Sequence, residues 1–351
     1  MIEARGARPT RIHRRGDFRQ PGDEVSPATP SFLPLLPRGS PDRLALASWL
    51  VDGKNPLTGR VTVNRLWQEL FGRGLVVTTE NLGARGALPS HPELLDWLAC
   101  EFASPGAAAG DRGAAWSVKR LLRWMVTSAA YRRSSRVDPK LAERDPGNAL
   151  LARQSRLRLQ AEQVRDSILA ASGLLSSRVG GPSVRPPQPA SVSQEGFENR
   201  WETTPGEGGV RRSLYTFIQR TSPFATFVNF DFPDTSRPCA RRTRSNSPLQ
   251  ALNLLNDPAF FDAARHLGGI LAASTPADTE SRVELGFRLA LGRPPRLLER
   301  QRLCDFHTRQ VASGGGRDRS QDPAAEARAA RAAWTLVASV LLNLDEMVTR
   351  E

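Results

Sequence analysis

Apolar positions recur at helical spacing along most of this chain and at strand spacing only briefly. Val118, Leu121, Leu122, Met125 and Val126 fall at i, i+3, i+4, i+7 and i+8, which predicts an amphipathic helix over Ser117 to Ser128. A stripe of Leu44, Ala47, Leu50 and Val51 predicts a helix from about Pro41 to Val51, capped by Ser40 and stopped at Asp52-Gly53. A further helix from about Gly59 to Phe71 buries Val63, Leu66, Trp67, Leu70 and Phe71. Thr58 caps it, Gly72 ends it, and Asn64, Arg65 and Gln68 fall on its polar side. Ser90 and Glu93 stand at capping-box spacing, which places His91 in a first helical turn, solvated or hydrogen-bonded. A longer helix is expected from Asn148 to Ala171, with Leu157, Val164, Ile168 and Leu169 inward. Its outer, solvated face would carry Arg153, Arg156, Arg158 and Arg165 against Glu162 and Asp166. Trp334, Val337, Ala338, Leu341 and Leu342 mark the inner face of a C-terminal helix.

Period two occurs where Ser213, Tyr215 and Phe217 alternate with Leu214, Thr216 and Ile218, a short strand that Pro223 ends. A second short strand fits Thr10 to His13, and the RGDF that follows reads as a Gly-Asp turn. The fold class is therefore mainly α: a multi-helix globular bundle with one small strand element and long Pro/Gly-rich loops. Residues 1–38 form an irregular N-terminal segment, 39–175 a helical lobe and 176–210 a Pro/Gly-rich linker or loop. Residues 211–351 hold the strand, an arginine-rich loop and a C-terminal helical lobe, and the two lobes can form one domain. Trp201 within 176–210 is costly to leave in water, so part of that loop is expected to pack. A second linker is expected from Ser313 in SGGGRDRSQDPAA.

Composition narrows the function classes. Hydrophobic residues make up 39% of the 351 and charged residues 24%, the balance of a globular chain with enough apolar content for a sizeable core. No apolar run is long enough to span a membrane, and the charged N-terminus has no apolar stretch of a signal peptide. The net charge of +13 raises nucleic acid as a partner. Yet only Lys54, Lys119 and Lys140 are lysines among the 49 basic residues. That skew fits GC-rich coding at least as well as phosphate binding, and stacking aromatics are not evident, so nucleic acid is disfavoured. Cys100, Cys239 and Cys304 are too scattered for a disulfide framework. There is no C-x-x-C-H for covalent haem, and Cys304 with His307 lacks the further ligands of a zinc site.

Candidate binding chemistry concentrates between Arg211 and Asn256. Arg237, Arg241, Arg242 and Arg244 lie within eight positions, with no acid from Thr235 to Asn256. Ser247 and Pro248 then start a helix expected to turn Leu249, Leu252 and Leu255 inward. Guanidinium forks ahead of a helix N-terminus suit a carboxylate or phosphate. The contacts expected are Arg241, Arg242, Arg244 and Asn246, with Arg212, Tyr215 and Arg220 beside them. The competing reading is an internal ion-pair network in which Asp231, Asp234 and Asp257 absorb these charges.

Several blocks occur in a specific order. They are NPLTGRVTVNRLWQELFGRGLV (Asn55 to Val76), HPELLDWLACEF (His91 to Phe102) and WSVKRLLRWMVTSAAYRRSS (Trp116 to Ser135). GGPSV (Gly180 to Val184), RRSLYTFIQR (Arg211 to Arg220), the Cys239 to Pro258 block and LLNLDEMV (Leu341 to Val348) follow. Together they resemble a planctomycete-type, cytochrome-c-associated C-terminal domain of unknown function, "fifteen fifty-three". The resemblance implies a module of an exported, surface or periplasmic protein, with haem only in upstream regions of relatives. It supplies no catalytic residues, and no cofactor is expected on this chain.

The leading expectation is a non-catalytic binding or assembly module whose arginine loop meets an anionic polysaccharide or a protein partner. The alternative is a hydrolase-type enzyme acting on a polymer, with Asp231 and Glu195 near His91 for acid/base work. Nothing in the sequence brings those groups together. Nucleic-acid binding is the second alternative, and it would weaken steeply with salt.

Overall fold

The computed structural model describes residues 9–37, 42–104, 115–189, 201–220, 222–313 and 323–350. Within them the chain forms thirteen α-helices and four short strands. It divides into two compact units, Met1–Gln154 and Ser155–Glu351. Among the described residues no helix is long and apolar enough to cross a membrane.

The first unit begins with an antiparallel hairpin, β1 (Thr10–His13) and β2 (Pro21–Val25). Its turn carries the RGDF segment. Arg15 and Gly16 take left-handed backbone (φ 52 and 79), and the Asp17 carboxylate accepts from the Arg19 N–H and the Gln20 side chain. Helices α1 (Arg43–Leu50), α2 (Pro56–Phe71), α3 (Pro92–Ala103), α4 (Val118–Thr127) and α5 (Pro139–Arg144) follow. Asn55, not Thr58, caps α2 ahead of Pro56, and Gly72 ends it at φ 80. The core joins Val63, Trp67 and Phe71 of α2 to Leu95, Leu98 and Phe102 of α3 and to Leu121 and Met125 of α4. Two polar residues expected on the outside of α2 are inside. Asn64 exchanges hydrogen bonds with the backbone of Val76 (2.8 and 3.0 Å), and Gln68 Oε1 accepts from Thr79 Oγ1 at 2.6 Å. These side chains hold the turn after α2 against the helix, work that backbone groups cannot do across a left-handed break.

The stripe expected on α1 is also corrected. Leu44, Leu50 and Val51 are exposed, and Trp49 is the buried residue, its Nε1 donating to the Pro34 carbonyl at 2.6 Å. The helix is short, and one indole with a partner for its N–H outweighs several leucines in fixing its face. Asp42 caps it; Ser40 lies outside the described residues. At α3 the capping box does not form. His91 is the N-cap residue, half-buried, with Nδ1 3.0 Å from Ser90 Oγ.

The second unit begins with β3 (Leu157–Arg158) and α6 (Ala161–Ala171). The helix expected from Asn148 therefore starts only at Ala161. Asn148 and Leu151 stand in left-handed backbone (φ 48 and 55), which a helix cannot propagate. Helices α7 (Ala225–Asn229), α8 (Pro248–Asn256), α9 (Pro258–Ala273), α10 (Thr279–Leu291), α11 (Leu297–Ser313), α12 (Pro323–Leu342) and α13 (Asp345–Val348) complete it. The last strand, β4 (Thr349–Arg350), returns to pair antiparallel with β3. The core gathers Val164 and Ile168 of α6, Leu267 and Leu271 of α9, Phe287 of α10 and Trp334, Val337 and Leu341 of α12. Trp201 is buried against Phe224, with Nε1 donating to the Pro186 carbonyl at 2.7 Å, so part of the 176–210 loop packs as expected. Most of the second expected linker lies outside the described residues.

A carboxylate–guanidinium latch closes the C-terminal end. Arg293 pairs with Glu299 of α11 at 2.8 Å and with Glu346 of α13 at 2.6 Å. The Arg293 guanidinium, helped by the Arg296 N–H, pulls the Glu299 carboxyl from the ordinary 4.5 down to about 2 against the opposing effect of burial. The folded state thus binds this proton less tightly than the unfolded one. The latch contribution is complete above about pH 4.5 and lost as pH falls toward about 2. The groups are partly solvated, so the contribution is about 1 kcal/mol or less. Urea midpoints measured across that window should fall, and Arg293→Gln should flatten the fall; an unchanged slope would remove the latch from the acid response.

Candidate functional site

The segment 211–218 is not a strand. Ser213–Tyr215 form a 3-10 turn, with Tyr215 N donating to Arg212 O and Thr216 N to Ser213 O. Local bonds take donors a ladder would need, and the bridges that remain are isolated: Ser176 to Arg211 and, within the expected strand, Val184 to Thr216. The latter bridge brings two sequence blocks together, because Val184 N donates to Tyr215 O and Phe217 N to Val184 O, both at 2.8 Å.

Two buried arginines hold this junction. Arg211 donates to the carbonyls of Pro182 and Gly180, and its guanidinium lies 3.8 Å from the centroid of the Tyr215 ring. The Tyr215 hydroxyl in turn accepts from the Gly180 N–H at 2.8 Å. Arg165, placed by periodicity on a solvated face, is only 3% exposed. It donates to the carbonyls of Gly209 (2.6 Å) and Arg211 (2.8 Å) and to Ser213 Oγ (3.2 Å). Burial pushes its guanidinium down to about 10, and Asp166 opposes that, so it stays protonated at neutral pH. A planar fork serving several carbonyls is what arginine supplies and leucine cannot. Sequence reasoning missed both; for Arg165 the available signal was its place between apolar Val164 and Ile168.

Beside this clasp lies a cleft of about 620 Å³. One wall is α6 with its N-cap residue Gln160, and α6 presents Glu162, Gln163, Asp166 and Ser167. Arg212, Leu214 and Ile218 line the cleft from the clasp side, together with Phe227 and Phe232, which stack with ring centroids 5.0 Å apart. Glu162 and Asp166 are one helical turn apart and both are engaged. Arg242 Nη1 donates to both Glu162 oxygens, at 2.9 and 2.7 Å. Asp166 Oδ1 accepts from the Ser213 N–H at 2.7 Å, and Arg212 Nε stands 3.8 Å from Oδ2.

The structure separates the sequence-predicted site residues. Arg212 lines the cleft, and Arg242 borders it through Glu162. Tyr215 works inside the clasp. Arg242 and Arg244 line a small adjoining crevice with Asp231, while Arg220, Arg241 and Asn246 are exposed. The aspartates expected to absorb the arginine charges also accept hydrogen bonds from nearby groups, and the Asp234 carboxyl is lowered by its bonds from Ser236 and in part by Arg237. Asp231 accepts from Ser245 N (2.7 Å), Ser245 Oγ and Gln250 Nε2, Asp234 from Ser236, and Asp257 caps α9 and accepts from Thr226. Arg242 of the loop pairs with Glu162, far away in sequence.

Gln250 explains why α8 faces the other way from expectation. Its amide bonds Arg158 Nε at 3.0 Å as well as Asp231 and Ser245, so Gln250 and Leu254 point in. Leu249, Leu252 and Leu255 are left half exposed. Ser247 caps the helix through the Gln250 N–H as expected. His91 belongs to the first unit, Asp231 to the second, and Glu195 lies outside the described residues. No group of three His, Cys, Asp or Glu side chains placed to hold a metal occurs among them. A larger groove, between α9 and α12, contains none of the arginine-loop residues.

A family model described as "PSD1: Protein of unknown function (DUF1553)" matches residues 42–307. The match runs through α1 to most of α11 and includes every residue that lines the cleft. No curated protein and no solved structure matches the chain.

Proposed function

The chain belongs to this family of proteins of unknown function, and on that premise we propose that it is a non-catalytic binding and assembly module. Its place would be in an exported, cytochrome-c-associated protein, and its ligand a carboxylate-bearing polysaccharide laid along the cleft beside α6. The observation that carries this reading is the composition of the cleft. Amides, a hydroxyl and charge-paired carboxylates of α6 and its N-cap share the cleft with the apolar side chains of Leu214, Ile218, Phe227 and Phe232. Sugar rings offer that combination in reverse, with apolar faces and hydroxyl edges.

Arg212, with its side chain 55% exposed, is the guanidinium on the cleft wall and is assigned to the ligand's carboxylates. Arg242 holds Glu162, and Arg220, Arg241 and Asn246 can add contacts from solvent. The state of the carboxylates favours binding over hydrolysis. Glu162 is gripped by a guanidinium and Asp166 by a backbone N–H, so neither is placed to pass a proton to a leaving group.

The test is affinity electrophoresis in gels containing polygalacturonate or neutral dextran, at about 0.15 M salt. Retardation is expected in polygalacturonate alone. Ser167→Trp fills the cleft without changing charge and should remove most of it, and Arg212→Ala should weaken it about tenfold. If Ser167→Trp is retarded like the parent, the net charge of +13 alone causes the effect and the assignment is overturned.

A further inference from the structure

We propose that the groove between α9 and α12 is a docking surface for an acidic amphipathic helix of a partner protein. The two helices touch at Gly268, where an added Cβ would stand 2.7 Å from Thr335 N. Beyond that contact the small residues Gly269, Ala273 and Ala332 keep the floor low, and a groove of about 880 Å³ opens along the pair. Its apolar walls are Phe261, Ile270 and Leu336, exposed by 42%, 41% and 37%. Large apolar side chains left in water in one strip mark an interaction site.

Charge selects the occupant. Arg265, His266, Arg328 and Arg331 line the groove, and no acidic residue does among the described residues. On α9, Asp262 pairs with Arg265. A helix with leucine-like side chains at i, i+3, i+4 and i+7 and carboxylates on its flanks complements both features. A second copy of this chain would bring like charge, since the chain carries +13. A small amphiphile would remain largely uncovered in a groove this open, whereas small-molecule sites bury most of their ligand. This proposal concerns a different face from the cleft and does not depend on it.

The probe is a synthetic fluorescent peptide of about 18 residues, leucine on one face and glutamate on the other. Its binding to the full chain is followed by anisotropy at about 0.15 M salt. The same peptide with lysine for glutamate should bind at least about tenfold more weakly, as should the glutamate peptide to Arg331→Glu. Ala332→Trp fills the floor without changing charge and should abolish binding. Absence of binding, equal affinity for the two peptides on the parent protein, or full binding by Ala332→Trp overturns the proposal. So does displacement of the peptide by dodecanoate at lower concentration, which assigns the groove to a lipid chain. A concentration-dependent dimer that Ala332→Trp abolishes would also overturn it, by assigning the groove to a second copy.

Discussion

Arg165→Met is expected to destabilise the second unit by about 3–5 kcal/mol, the usual cost of removing one side of a buried charged network. Methionine roughly fills the volume, so the loss is in bonding and not in packing. The carbonyls of Gly209 and Arg211 lose their donor in a site where Arg165 is 3% exposed. Each such orphan costs about 1–3 kcal/mol. Ser213 loses a partner as well, and Asp166 loses the positive charge 3.8 Å away. Arg165→Lys should recover only part, because one ammonium cannot reproduce the planar fork. Amide exchange in α6 and α9, read against urea, would report the change in the right unit. A shift below about 1 kcal/mol would mean that the carbonyls find other donors and that the clasp does not depend on Arg165.

Gly268→Ala should also destabilise, although alanine is the better helix former. In a free helix the change would gain about 1 kcal/mol. Here the new methyl would meet Thr335 N at 2.7 Å, Thr335 Cα at 2.8 Å and Trp334 C at 2.9 Å. All three are backbone atoms of α12, so no rotamer change relieves the contact. The helices must separate, and Leu267 and Leu271 then lose contact with the core they share with Trp334 and Leu341. Overpacking of this kind costs about 1–3 kcal/mol and outweighs the propensity gain; Gly268→Val should cost more. Thermal unfolding of the pair of variants would show it, and a Gly268→Ala protein as stable as the parent would place this crossing under less constraint than its geometry indicates.

The legible parts of the fold share one property: their causes lie within a few residues. Ser247 caps the helix it was expected to cap, and Gly72 ends α2 in left-handed backbone. The inner face of α12 is the expected one, because a long helix averages many apolar positions into one direction. On short helices that averaging fails. α1 turned on Trp49 and α8 on Gln250, a single side chain with a distant partner in each case. The alternation at 213–218 signalled extended backbone, but the turn won because its hydrogen bonds are local and Val184 offers only one bridge.

The arginines show most clearly where the sequence stops. The spacing of apolar positions determined the helical class, and the order of the blocks around the arginines the family, without any coordinates. Which arginine is interior and which faces a ligand was decided only by tertiary structure. Arg165 and Arg211 are buried because folding delivers the carbonyls of Gly180, Pro182 and Gly209 to them. Arg242 is spent on Glu162 because α6 comes to lie beside the loop, leaving Arg212 as the guanidinium on the cleft wall. A guanidinium is stable inside only when acceptors meet its donors, and those acceptors come from segments far apart in the chain. Periodicity records the side of a helix that a residue is on; it carries no information about which distant carbonyls will arrive there.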